Sequence, residues 1–284
     1  MSLVYSAFAA SLILSVGRNL LSKSISGFEF GTSDFFTVQS IIFFGGFIDL
    51  IIPAALSFPG ISLSTLVQSL IYAILLLAAQ WNYTAALKNG NTAMCVTVYS
   101  LGFILPALSG FLFWGEDFTS KNFCGLILAA SAVAASGFKK GSSASGGKFF
   151  LPLIISMLAS GGLGIMQKVQ QSSSAKNETL IFISAAFLIA GSISYICKLS
   201  RGCAAKLPNG AKMRATAVGI CFACCNLLNT FLAGKLNSVV FFPVQNVSVI
   251  VLSLLVSIPI FRERFGKKEA LVVLLGLGAV FLNN

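Results

Sequence analysis

At 284 residues the chain is long enough for one or two soluble domains, yet 56% of it is hydrophobic, only 10% is charged, and its mean hydropathy is +0.91. That balance excludes an ordinary water-soluble globular protein and makes a lipid bilayer the expected solvent. The net charge of +11 would suit nucleic acid, but the lysines and arginines are scattered between apolar runs without clustered aromatic or glycine motifs, so no nucleic-acid partner is expected.

Crossing hydrocarbon takes about 20 mainly apolar residues, and ten such stretches follow one another at 3–21, 35–56, 63–87, 92–114, 123–138, 149–167, 179–198, 215–232, 239–261 and 270–282. Little chain remains for a domain folded in water, so function is expected among the helices. The first stretch is read as a span rather than a cleavable signal, because Arg18 and Lys23 follow it and no charged segment precedes it. It carries Ser11, Ser15, Asn19 and Lys23 four residues apart on one helical face, with Arg18 and Ser22 beside them. For the serines this spacing favours close helix packing. For Arg18 and Lys23 it fits equally well contact with an anionic group such as a carboxylate or, for the lysine, snorkelling to the interface, and Arg18 and Asn19 are counted among the candidate solute contacts.

The second span holds Asp49, an acid deep in an apolar run, readable as a proton or cation site or as a residue nearer the surface beside Pro53. The third carries Gln80, Trp81, Asn82 and Tyr83. The eighth carries Asn226 and Asn229. Buried amides need partners, so these are candidates either for solute binding or for interhelical hydrogen bonds, and Trp81 and Tyr83 also suit an interfacial aromatic belt. In the ninth, Pro243, Gln245, Asn246 and Ser248 interrupt an apolar helix, and the fourth holds Thr97, Tyr99 and Pro106. Proline frees backbone carbonyls that are tolerated where they line a cavity, so Gln245, Asn246 and Tyr99 are the strongest site candidates for a polar solute. Cys221, Cys224 and Cys225 place two thiols on one face, but the chain has no histidine and the ligand set is short, so packing is expected and neither a metal nor a cofactor is. The remaining cysteines imply no disulfide framework.

The chain resembles itself. A shift of 147 aligns 82–134 with 229–281 without a gap, and Asn82 meets Asn229, Lys88 meets Lys235, Glu116 meets Glu263, and Lys121 meets Lys268. A shift of 145 brings Ser11, Ser15, Gly17 and Lys23 onto Ser156, Ser160, Gly162 and Lys168. Coincident Asn, Lys and Glu are not what two arbitrary apolar runs supply. The expected organisation is a first five-helix repeat at 1–138, a basic Gly/Ser-rich linker at 139–148 and a second five-helix repeat at 149–284. Five spans per half make the second enter from the opposite side, giving an all-α membrane protein of ten transmembrane helices in two inverted repeats. All lysines and arginines except Lys121, Lys168, Lys176 and Lys235 fall in or beside loops after odd-numbered spans. The positive-inside rule then puts those loops in the cytoplasm and both termini outside.

Two five-helix halves, a lysine closing the first helix of each (Lys23, Lys168) and a glutamate-bearing turn before each last helix (Glu116, Glu263) resemble the drug/metabolite transporter superfamily, in its ten-helix EamA-like form, over the whole chain. The resemblance implies a protein of the cell membrane that exports or exchanges small metabolites, often amino acids, through a cavity between its halves by alternating access. Two departures stand out. The first and sixth helices lack the acid with which small multidrug-resistance relatives exchange protons for cationic drugs, and family members are usually drawn with cytoplasmic termini. No convergent His, Asp, Glu or Ser/Lys constellation marks an enzyme, and no charge ring marks a channel. The expected function is a secondary-active carrier for a small polar solute such as an amino acid, with an exporter of cationic or drug-like compounds as the alternative. Proton coupling and oligomeric state stay open.

Overall fold

The computed structural model describes residues 2–26, 32–57, 60–89, 98–137, 147–201, 207–261 and 267–283. Among them the chain is helical throughout, with α1 (Ser2–Ser26), α2 (Thr32–Leu56), α3 (Leu63–Asn89), α4 (Ile104–Trp114), α5 (Ser120–Gly137), α6 (Gly147–Ser172), α7 (Thr179–Ser200), α8 (Asn209–Ala233), α9 (Ser238–Phe261) and α10 (Lys267–Asn283). Single 3-10 turns at Leu101–Phe103 and Lys176–Glu178 lead into α4 and α7. A helix stands at each of the ten apolar stretches. Residues 92–97 at the head of the fourth, the linker segment 139–146 and the 262–266 turn with Glu263 lie outside the described residues.

Among the described residues six helices are long and apolar enough to cross a membrane: Ser2–Ser22, Asp34–Leu56, Leu63–Ala86, Leu151–Ser172, Lys176–Ser200 and Asn209–Ala233. Val98–Trp114, Ser120–Ala135, Ser238–Ser253 and Ala270–Leu282 are shorter apolar helices. Which side of a helix is buried points to the same solvent. Along α3, Leu63, Leu66, Val67, Leu70, Ile71 and Ile74 are exposed, whereas Thr65, Gln68, Ser69 and Tyr72 are buried. A helix in water buries the first set and exposes the second. The reversed arrangement is stable where the surroundings are hydrocarbon and polar groups must find partners inside the protein.

The chain forms two compact units, Met1–Ile74 with Val169–Leu232, and Leu75–Lys168 with Ala233–Asn284, so α3, α6 and α8 each contribute residues to both. In the first unit α2 packs on α7. Each helix offers a glycine to an aromatic ring of the other. A Cβ on Gly46 would lie 2.6 Å from Phe187, and one on Gly191 would lie 3.0 Å from Phe44. Gly46 and Gly191 are themselves 145 positions apart, the offset of the repeat at the start of each half. Phe43, Phe187 and Phe222 close an aromatic cluster with centroids 5.3 to 6.4 Å apart, within the range of favourable ring pairs. Polar groups are satisfied across helices. The Ser69 hydroxyl donates to the Phe182 carbonyl at 3.0 Å, and the Tyr72 hydroxyl donates to Asn226 Oδ1 at 2.6 Å. Tyr72 has no exposed surface, so Tyr72→Phe is expected to cost about 1 kcal/mol by deleting an interhelical donor without changing shape. A thermal melt of the purified protein reads it as a lower midpoint.

In the second unit α4 packs on α9, α5 on α10, and α9 also on α5 and α10. Close approach rests on small residues. A Cβ on Gly102 would meet the Met157 carbonyl oxygen, and one on Gly164 would meet the Pro106 ring. The left-handed conformation of Gly115 (φ 62°) ends α4, with the Gly115 and Glu116 N–H groups both directed at the Gly110 carbonyl. Only glycine takes this conformation without strain. It delivers Glu116 back against the end of its own helix.

Candidate functional site

The polar face of α1 is met by α8 within the first unit. The Ser11 hydroxyl donates to Asn229 Oδ1 at 2.5 Å, Ser15 Oγ lies 2.9 Å from Cys225 Sγ, and the Arg18 guanidinium carbon stands 3.8 Å from the Phe222 ring centroid. Each step up α1 is a step down α8, so the two helices run antiparallel along this seam. Asn229 also donates from Nδ2 to Cys225 Sγ at 3.5 Å. The serines therefore pack, as their spacing predicts. Asn19 is exposed. Arg18 is half-buried and stacks on an aromatic ring, a contact that stabilises a cation where water is scarce.

Between Phe222 and Cys225 in sequence, Cys224 Sγ donates to Asp49 Oδ2 at 3.0 Å, bringing the acid of α2 onto α8 as well. The sequence singles out both residues but gives no sign that they meet. Among the described residues no group of three or more His, Cys, Asp or Glu converges to hold a metal ion.

The other predicted site residues lie in the second unit. Asn82 is half-buried and donates to the Ala78 carbonyl of its own helix at 2.8 Å. Its repeat mate Asn229 instead bonds across to α1. Trp81 is half-buried. Tyr99 packs against Tyr83, with ring centroids 4.9 Å apart. On α9 Gln245 is buried, while half-buried Asn246 donates to the Phe242 carbonyl at 2.9 Å, one turn back on its own helix.

A second constellation in this unit was legible only in pieces. Lys168 Nζ and Glu116 Oε1 form an ion pair at 2.5 Å, with side chains 12% and 11% exposed. The other carboxylate oxygen accepts the Ser238 N–H at 2.6 Å, and the Ser238 hydroxyl donates to Oε1 at 3.2 Å. Glu116 thus supplies negative charge to the N-terminus of α9, where orphan amides and the helix dipole favour it. Lys168 adds a 3.4 Å hydrogen bond to the Leu236 carbonyl. Both residues are marked by the repeat, and the structure joins them in a salt bridge. Opposite charges at two repeat-marked positions were the available signal.

No family model matches the sequence, and no curated protein does. A solved structure described only as "Crystal structure of protein" aligns over 99% of this chain and 96% of its own, with a TM-score of 0.82 at 14% identity. At that identity the likeness shows a shared fold.

Proposed function

We propose that the chain is a secondary-active transporter of the cell membrane, similar to the ten-helix EamA-like drug/metabolite transporters, that moves a small polar metabolite such as an amino acid by alternating access. The observation that carries this reading is that helices equivalent under the sequence repeat pack on one another: α2 on α7, α4 on α9 and α5 on α10. Pairing of mates is what an inverted duplication about a two-fold axis produces, and such duplications let two halves exchange conformations around a solute. Ten spans follow if the four shorter apolar helices also cross the bilayer. The candidate solute contacts are Arg18, Asn19 and Asn229 within the first unit and, taken separately, Asn82, Trp81, Tyr99, Gln245 and Asn246 within the second.

Counterflow in proteoliposomes tests the reading, with the twenty common amino acids and a cationic dye as labelled probes. Saturable exchange is expected, and ion conductance without saturation would replace the carrier by a channel. Asn246→Ala is expected to lower exchange several-fold at unchanged protein level, because it removes a half-buried amide from the apolar helix that Pro243 interrupts. Unchanged exchange would remove Asn246 from the site.

A further inference from the structure

Four helix ends of the first unit are tied to one another. The end of α7 meets the start of α2, where the Arg201 guanidinium carbon stands 4.7 Å from the Phe36 ring centroid. The start of α8 meets the end of α1, where Arg214 Nη1 donates to the Ser24 carbonyl at 3.0 Å, in the turn whose carbonyls a helix leaves unpaired. Two residues beyond Arg214, a Cβ on Gly45 of α2 would lie 3.3 Å from Thr216 of α8, so the two pairs of ends adjoin. Among the described side chains, these ends carry Lys198, Arg201, Lys212 and Arg214 against Asp34. The opposite end of the unit, where α3 and α7 start, is balanced. There Lys176 accompanies Glu178, whose carboxylate accepts the Ser62 N–H at 2.9 Å and the Ser62 hydroxyl at 3.0 Å.

Two features give the basic end a partner. Lys212 and Arg214 stand in the opening turns of α8, which has no acid in its first turn. The helix dipole opposes cations there, so their position fits negative charge supplied from outside the helix. The cations are also set among exposed apolar side chains, with Tyr195 and Leu199 flanking Lys198, and Met213 between Lys212 and Arg214. Lys198 Nζ lies over the Tyr195 ring, 5.4 Å from its centroid. A soluble anion has no use for that apolar surface, whereas a phospholipid offers its chains to it and its phosphate to the cations. We propose that this end of the first unit binds the headgroup of an anionic phospholipid, with Lys198, Arg201, Lys212 and Arg214 as its cations and Tyr195, Leu199 and Met213 against the acyl chains. The connections at this end follow odd-numbered spans, which carry the lysine and arginine bias, and the cytoplasmic leaflet that such a bias faces is the anionic one. The proposal depends on the chain crossing a bilayer and not on transport.

Native mass spectrometry of the purified full-length protein tests it, with dioleoyl phosphatidylglycerol, dioleoyl phosphatidylcholine and glycerol 3-phosphate titrated separately in detergent. Phosphatidylglycerol is expected to be retained about tenfold more tightly than phosphatidylcholine, and glycerol 3-phosphate not at all. Each neutralised cation is expected to weaken phosphatidylglycerol about fivefold. Lys198→Gln/Lys212→Gln should therefore hold it no better than phosphatidylcholine, while Lys176→Gln, at the balanced end, should keep the full preference. Equal retention of the two lipids by the wild type overturns the proposal, as does an unchanged preference in the double variant. An equal loss in Lys176→Gln also overturns it, by showing an attraction to overall charge. Glycerol 3-phosphate that competes as well as the lipid would replace the lipid surface by a soluble-anion site. If the double variant fails to fold, the ranking of the three probes on the wild type and on Lys176→Gln still decides.

Discussion

Gly219→Ala is expected to destabilise the protein by about 3 kcal/mol, the upper end of what overpacking usually costs. The added Cβ would fall on the Ile42 carbonyl oxygen, with the Ile42 carbonyl carbon at 3.0 Å and the Gly46 nitrogen at 3.1 Å. All three are backbone atoms of α2, so no rotamer change relieves the contact and the two helices must separate. Separation would disturb the ring cluster of Phe43, Phe187 and Phe222 and draw Cys224 away from Asp49. Alanine is the better helix former by about 1 kcal/mol, which offsets only part of this. Gly17→Ala on α1 is the internal control, since nothing lies within 4 Å of its Cβ, and it should leave the melting temperature unchanged or raised. Heat ramps followed by size-exclusion chromatography read both variants. A Gly219→Ala protein as stable as Gly17→Ala would mean that α2 and α8 do not approach at Ile42.

Helix positions were open to reading because hydrocarbon imposes a length and a composition on anything that crosses it. The seam between α1 and α8 was half legible. Ser11, Ser15 and Arg18 fall on one side of α1 by periodicity, but periodicity names a face and not its partner. Lipid tails are as apolar as a neighbouring helix, so hydropathy cannot say which helix covers which. Asn82 and Asn229 make the point at the level of one residue type: repeat mates in sequence, one bonds to its own backbone and the other to Ser11. Contacts such as Asp49 with Cys224 join residues far apart in the chain, and nothing local marks them. Helix ends were also underestimated. α6 runs on to Ser172 because its polar last turn finds partners, Gln170 Nε2 donating to the Ala175 carbonyl at 3.0 Å.

Lys168→Met is expected to cost about 3 kcal/mol, because it strands a mostly buried carboxylate. Glu116 would keep the Ser238 N–H and hydroxyl as donors but lose the cation that balances its charge. Glu116→Gln strands the lysine instead, with the Leu236 carbonyl as its remaining hydrogen bond, and should cost a similar amount. In Lys168→Met/Glu116→Gln no charge is left to strand, so the double variant should be more stable than the sum of the single effects predicts. The difference is the coupling energy of the pair. Function should follow stability only in part. Glu116 fixes the first turn of α9, and Asn246 lies about two turns further along the same helix. The double variant is therefore expected to recover stability while exchanging solute more slowly than the wild type, since glutamine offers the α9 N-terminus a neutral acceptor in place of a carboxylate. Strictly additive single effects in the melts would show that Lys168 and Glu116 do not pair. Full recovery of exchange in the double variant would show that the pair holds the fold without positioning α9.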